Sequence, residues 1–314
     1  MISFDDIQKA HDRIRPYIHR TPVVTSKSIN KKVCAELFFK CENFQKIGAF
    51  KIRGGMNAAL SLEKEQLSRG LATHSSGNHA QAVAFAAQAL RVKAYIVMPS
   101  NSPKVKFEAV KGYGAEVIFC EPNQQAREQM LSEVVARTGA EFIHPYNDHR
   151  VITGQATCAK ELMEDYGQFD FIITPVGGGG LLSGTALAAR YMYSDTQVIA
   201  GEPEGAADAV LSFKSGKIEK APYINTIADG LLTTLGDKTL PIIKALVSDI
   251  LTVSDQEIIM ALRWIYERMK IIVEPSCAVP LAVIMAYQER FRGGRVGVIL
   301  SGGNVDLKKC CDWF

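Results

Sequence analysis

The chain alternates short apolar runs with amphipathic helical stretches, and this alternation limits its fold more than any other feature. Residues 92–98 (VKAYIVM) read as a buried strand. Residues 102–113 follow with helical spacing and place Pro103 at the first turn. Residues 115–120 (AEVIFC) are the next strand and 123–138 the next helix, closed by Gly139. Strand patterns return at 169–176, 197–200 and 295–300, and Ser254 with Glu257 forms a capping box ahead of a helix over 258–269. Strands that are apolar along their whole length are buried on both faces. The expected class is therefore α/β, with parallel-rich twisted sheets flanked by helices. At 314 residues the chain has room for about two domains of ordinary size. The expected division is a small domain over 71–147 and a larger one joining 1–70 to 148–314, with a site in the cleft between them.

Composition narrows the function by exclusion. The hydrophobic fraction of 47% and charged fraction of 22% are those of an ordinary globular protein. The net charge of +3 is spread along the chain, and the basic stretch 104–111 carries apolar residues at helical spacing. That is a solvated helix face, and no nucleic-acid partner is expected. No apolar run approaches ~18 residues, so no membrane helix is expected. The opening MISFDDIQKAHDRI carries acids in a helical pattern, unlike a secretory or transit segment. Seven cysteines, an odd number without C-x-x-C and with Cys310 next to Cys311, fit a reduced, cytoplasmic protein.

Several segments carry chemistry. Gly177, Gly178, Gly179 and Gly180 stand between the strand FDFIITPV and the helix LLSGTALAARYM. A strand, a glycine turn and a helix start present free N–H groups and a favourable dipole to a phosphate. No offset gives G-x-G-x-x-G, and Thr185 follows Gly184 where a Walker loop needs lysine, so neither nucleotide fingerprint is present. In ENFQKIGAFKIRGG, Lys51 lies among Ala49, Phe50 and Ile52, where desolvation would make it a usable amine nucleophile. In THSSGNHAQAVAFAA, Ser75, Ser76, Gly77, Asn78 and His79 mark a strand-to-helix junction able to cap a helix or hold a carboxylate. Ser301 closes the strand VGVIL.

Taken in order, these segments resemble the fold-type II pyridoxal-phosphate enzymes, the tryptophan-synthase β-like fold. Within it the chain is similar to the serine racemase and serine/threonine dehydratase branch, nearest the eukaryotic-type racemases. The stretches SSGNH, AYIVMP, VGGGG, TIADG and LSGGNVD carry the likeness, from IHRTP near Thr21 to Asp306. The resemblance implies that Lys51 holds pyridoxal phosphate covalently, with Phe50 flanking the ring and Gly230 lying against it. Asn78 would bond the phenolic oxygen, and Gly177 to Gly180 with Leu181 the phosphate. Ser301 would meet the pyridine nitrogen, where a hydroxyl cannot hold a full positive charge as a carboxylate does. Ser75, Ser76, Asn78 and His79 would bind the substrate carboxylate, and Ser76 would act as acid and base on the face opposite Lys51. Glu202, the Ala206 carbonyl and Asp208 of GEPEGAAD would hold Mg²⁺ or Ca²⁺. A small amino-acid substrate and a homodimer are implied.

The likeness leaves three enzyme activities open: serine racemisation with dehydration, dehydration of threonine or 3-hydroxyaspartate, and the β-replacement of a cysteine synthase. A non-catalytic protein on the same fold would have no use for Lys51, Asn78, the glycine run and Ser301 together. The stretch HPYNDHR departs from the family. It reads as a surface loop at the hinge, or else as a source of positive charge, through His149 and Arg150, for an acidic substrate.

Overall fold

The computed structural model describes residues 2–102 and 104–314, and leaves the side chains of Val105 and Cys311 undescribed. Pro103, expected in the first turn of a helix, lies outside the described residues. The strands are β1 (Val23–Val24), β2 (Glu36–Cys41), β3 (Leu71–His74), β4 (Ala94–Pro99), β5 (Glu116–Cys120), β6 (Glu141–Phe142), β7 (Phe171–Pro175), β8 (Gln197–Pro203), β9 (Asp249–Val253) and β10 (Arg295–Leu300). They form a six-stranded sheet in the order β1-β2-β10-β7-β8-β9 and a four-stranded sheet in the order β5-β4-β3-β6. All pairings are parallel except β1 with β2. The smaller sheet draws every strand from residues 71–142, while the larger takes strands from both sides of that segment.

The helices that bear on the site are α1 (Phe4–Ile14), α2 (Lys51–Leu60), α3 (Asn78–Leu90), α4 (Lys104–Gly112), α5 (Gln124–Thr138), α6 (His149–Tyr166), α7 (Gly180–Met192), α8 (Asp255–Trp264) and α9 (Pro275–Ala286). Their ends follow local chemistry. Asn123 accepts from Ala126 N to start α5, and Gly139 at φ +69° ends it. The Ser254–Glu257 box starts α8, but the α-helix stops at Trp264 and Ile265–Met269 continues as a π-turn. Strand β10 (RVGVIL) is buried along nearly its whole length, as expected of a central parallel strand.

A buried ionic cluster joins α2, β2 and α6. Arg53 is fully buried and forks onto Glu42 (2.7 and 2.8 Å) and onto Glu161 (2.9 and 2.8 Å). Lys40 reaches Glu161 at 2.7 Å and the Thr21 carbonyl at 2.9 Å. Burial alone would raise the Glu161 carboxyl, but Arg53, His11 and Lys40 drive it far below the carboxylate range. Two cations against two carboxylates, each hydrogen-bonded, leave no charge unpaired, which is what makes such burial tolerable. The cluster fixes α2 two residues beyond Lys51.

Candidate active site

Lys51 opens α2, after a turn in which Ile47 (φ +59°) and Gly48 (φ +70°) take left-handed backbone. This turn is tied to the end of β10: Phe50 N donates to the Ser301 carbonyl at 3.0 Å, and Ala49 bridges Gly302. The Lys51 ammonium donates to the Pro145 carbonyl at 2.9 Å and stands 5.2 Å from the centre of the Phe50 ring. Burial draws its pKa down to about 8, partly offset by the charge of Glu274. An amine poised there is a usable nucleophile and base near neutral pH.

The glycine run is built for a ligand that takes hydrogen bonds. The backbone N–H groups of Gly177, Gly178 and Gly179 meet no acceptor among the described residues. Gly179, at φ +86°, caps α7, so the helix start adds its dipole. Side chains are barred from the run. A Cβ on Gly178 would sit 2.3 Å from the Tyr146 ring, and one on Gly177 would sit 3.1 Å from Leu231 Cα. Leu181, in the first turn of α7, is buried. These free donors fit a phosphate.

Around α3 the geometry is more particular. Asn78 donates through Nδ2 to both oxygens of Glu274 (3.0 and 3.1 Å) and accepts through Oδ1 from Asn304 at 2.9 Å. Glu274 is buried, and burial pushes its carboxyl up to about 7 against the pull of Asn78. Gly230 N donates to Ser276 Oγ at 3.0 Å, and a Cβ on Gly230 or Gly302 would crowd Ser276 or Glu274. Ser75 is held by its backbone N–H to Val97 O (3.1 Å), and its hydroxyl accepts from Gly77 N (3.3 Å). The Ser76 hydroxyl has no hydrogen-bond partner among the described residues. Ser301 is buried at the end of β10. His79 is buried, and its Nε2 must donate to the Ile143 carbonyl at 2.9 Å, leaving Nδ1 as an unpaired acceptor. Burial and Lys51 keep the ring well below its usual pKa, so it is neutral. A neutral acceptor cannot hold a carboxylate, so the only group His79 can offer one is its backbone N–H.

Sequence reasoning missed two parts of this site. Glu274 carried no local signal in IIVEPSC. The stretch from Tyr146 to Arg150 read as a hinge loop or as facing the substrate side, and Pro145 drew no notice; Pro145, Tyr146 and Asn147 cross the site. Pro145 takes the Lys51 hydrogen bond, Tyr146 covers Gly178, and Asn147 bonds Asp237 Oδ1 (2.6 Å) and Lys238 N (2.9 Å). His144 Nδ1 accepts from the Tyr146 and Asn147 backbone N–H groups (3.2 and 2.8 Å), which fixes the turn. The reading that His149 and Arg150 face the substrate is corrected. Arg150 is paired with Asp148 (2.7 Å) and Glu141 (3.2 Å), and both residues line a different cavity, against α1.

Glu202 is the penultimate residue of β8, paired with Thr252 of β9, and Asp208 follows five residues after the strand ends. Glu202 accepts from Ala209 N (2.6 Å) and Val210 N (2.9 Å), and Ala206 is buried beside them in a single 3-10 turn. Burial raises Glu202 to about 8 and Asp208 to about 7, and Asp208 Oδ2 is buried without a partner. No group of three or more His, Cys, Asp or Glu side chains suited to a metal occurs among the described residues. The set here is two carboxylates with a carbonyl, and among the described residues no helix is long and apolar enough to cross a membrane.

This fold and site define a pyridoxal-phosphate-dependent enzyme of the fold-type II class. The family model "Pyridoxal-phosphate dependent enzyme" matches residues 14–302, and the chain belongs to that family. It is 49% identical over 307 residues to the β-hydroxyaspartate dehydratase of Paracoccus denitrificans, covering 98% of each chain. It is also 49% identical to a serine racemase of Arabidopsis thaliana, covering 98% of this chain and 95% of that one. The crystal structure of serine racemase from Dictyostelium discoideum superposes with a TM-score of 0.93 at 48% identity, covering 97% of this chain and 99% of that one. The chain is therefore a racemase or ammonia-lyase of this family, acting with pyridoxal phosphate.

Proposed function

We propose that the chain racemises serine and also eliminates water and ammonia from it. The supporting observation is a pair of proton-transfer groups on separate elements. Lys51, an amine near pKa 8, opens α2, and Ser76, a hydroxyl not spent on the protein, precedes α3. Pyridoxal phosphate, when bound, supplies the electron sink that stabilises negative charge at Cα. The free N–H groups of Gly177, Gly178, Gly179 and Gly180 with Leu181 would hold its phosphate, Asn78 would turn an amide N–H from Glu274 to its phenolic oxygen, and Phe50 and Gly230 would flank its ring. Ser301 would meet its pyridine nitrogen. Ser75, Asn78 and the His79 N–H orient the substrate carboxylate. Lys51 takes or returns the Cα proton on one face and Ser76 on the other. In this reading residues 71–147 form one wall of the cleft and the rest of the chain the other. The unpaired Asp208 Oδ2, with Glu202 and the Ala206 carbonyl, supports a site for Mg²⁺ or Ca²⁺.

A second reading is dehydration of 3-hydroxyaspartate, supported by a dehydratase relative at the same 49% identity as a racemase relative. A chiral amino-acid and keto-acid assay of the pure holoenzyme on serine, threonine and both 3-hydroxyaspartate diastereomers separates them. Interconversion of L- and D-serine with pyruvate formation is expected. Keto-acid formation from 3-hydroxyaspartate with no racemisation of serine would hand the function to the second reading.

A further inference from the structure

A cavity of about 320 Å³, open on one side, lies where α1, α2 and the first turn of α6 meet. That is the small end of the roughly 300–1,000 Å³ typical of ligand sites. It is lined by Lys9 and Arg13 of α1, by Asn57 of α2 and Ser61 at its C-cap, and by His149 and Arg150 of α6, among others.

One arginine of the lining has donors to spare. Asp6, the acidic residue in the lining, caps the start of α1, where Ser3 N and Oγ donate to it at 2.8 and 2.7 Å. Arg150 is satisfied by Asp148 and Glu141, and Lys9 by Asp5 at 2.6 Å. Arg13 has no carboxylate within ion-pair distance among the described residues. Its Nη1 is held by two neutral oxygens, Asn57 Oδ1 at 2.7 Å and Ser61 Oγ at 3.1 Å. The guanidinium is thus fixed along one side, while its Nε and Nη2 donors make no hydrogen bond to the described residues. A fixed fork with free parallel donors is the geometry that takes a carboxylate or phosphate edge-on. The first turn of α6, whose N-cap Asp148 accepts from Arg150 N, closes the cavity on its third side.

We propose that this cavity binds a small oxyanion, a phosphate or a dicarboxylate, in a bidentate grip by Arg13, and that occupancy acts on the catalytic site. The route is short. Asn57, which accepts from Arg13, donates through Nδ2 to the Arg150 carbonyl at 2.7 Å and so ties α2 to α6. Helix α2 begins with Lys51, and α6 follows the segment whose Pro145 carbonyl takes the Lys51 hydrogen bond. An anion bridging α1, α2 and α6 therefore braces both partners of that bond. The inference concerns a second site and does not depend on which hydroxy amino acid is the substrate.

The test uses the holoenzyme with inorganic phosphate in one arm and succinate in the other, each against potassium chloride at matched ionic strength. The melting temperature and the rate are followed together. One or both anions should raise the melting temperature saturably, as a ligand of the native state does, and change the rate with the same half-saturation. Arg13→Gln should weaken that half-saturation tenfold or more, without changing the rate in the absence of anion. Ser61→Asp, which leaves Arg13 in place and gives it an internal carboxylate, should do the same. Which arm responds identifies the oxyanion. Effects no larger than those of potassium chloride, or effects unchanged in Arg13→Gln and Ser61→Asp, overturn the proposal. Binding through succinate at the catalytic site would show as competition with substrate that survives in both variants.

Discussion

The desolvation of Lys51 was legible in its small and apolar neighbours, and burial is what lowers an amine's pKa. Its hydrogen bond to Pro145, 94 residues away, and the opposing charge of Glu274 were not. Partners set by tertiary structure leave no local pattern, which also explains why Glu274 went unseen. Replacing Lys51 by Ala should cost roughly 10²–10⁴-fold for the lost base, and more for the lost attachment. Borohydride reduction and peptide mapping check it, and a reduced cofactor found on another lysine would refute the assignment. Ser76 decides between the two activities. Racemisation needs proton exchange on both faces of Cα, and one base cannot readily serve both. Ser76→Ala should abolish racemisation and elimination from D-serine while largely sparing elimination from L-serine. Pyruvate formation from each enantiomer and deuterium wash-in at Cα are the measurements. A mutant that still interconverts the enantiomers near the wild-type rate would reduce Ser76 to a turn residue.

At the scale of elements, strand β10 covers Arg295–Leu300, the residues its apolar run marked, because nothing but burial on both faces shapes a central parallel strand. The helix expected over 258–269 keeps its start, fixed by the Ser254–Glu257 box, but becomes a π-turn from Ile265, which periodicity alone cannot show. The glycine run was readable as a phosphate cradle, yet the wall that closes it is Tyr146, from a segment that the sequence left open between a surface hinge and the substrate side. That wall makes a sharp prediction. Gly178→Ala would place a methyl 2.3 Å from the Tyr146 ring, and overpacking of this kind costs about 1–3 kcal/mol. Cofactor affinity, measured by equilibrium dialysis against visible absorbance, should fall by roughly ten- to a hundredfold. Adding Tyr146→Ala should recover most of it, since two residues in contact are not additive. Equal losses in the single and double variants would mean that the ring is no part of the wall.

For the whole molecule, buried charge is handled in two opposite ways. Arg53, Glu42, Lys40 and Glu161 neutralise one another, although Glu161 lies 108 residues from Arg53 and sequence spacing could not pair them. Glu202 and Asp208 have no cation among the described side chains, and their burial raises them to about 8 and about 7 from ordinary values of 4.5 and 3.8. The sign of the consequence follows from linkage. Between about pH 4 and 8 the native carboxyls hold protons that the unfolded chain has released, so stability falls as pH rises through that window. A bound Mg²⁺ or Ca²⁺ reverses this, because it favours the ionised pair and binds only the native state. The chelated enzyme should therefore melt lower at pH 8 than at pH 6. The gain in melting temperature on adding Mg²⁺ should be larger at pH 8, with activity recovering in parallel. Glu202→Gln removes one titration and one ligand together. It should flatten the pH dependence of the chelated protein and weaken the response to Mg²⁺. Melting curves at the two pH values, with chelator and with Mg²⁺, test all of this. A chelated wild type whose melting temperature and rate match those with Mg²⁺ at both pH values would leave Glu202 and Asp208 as a protonated pair that binds no cation.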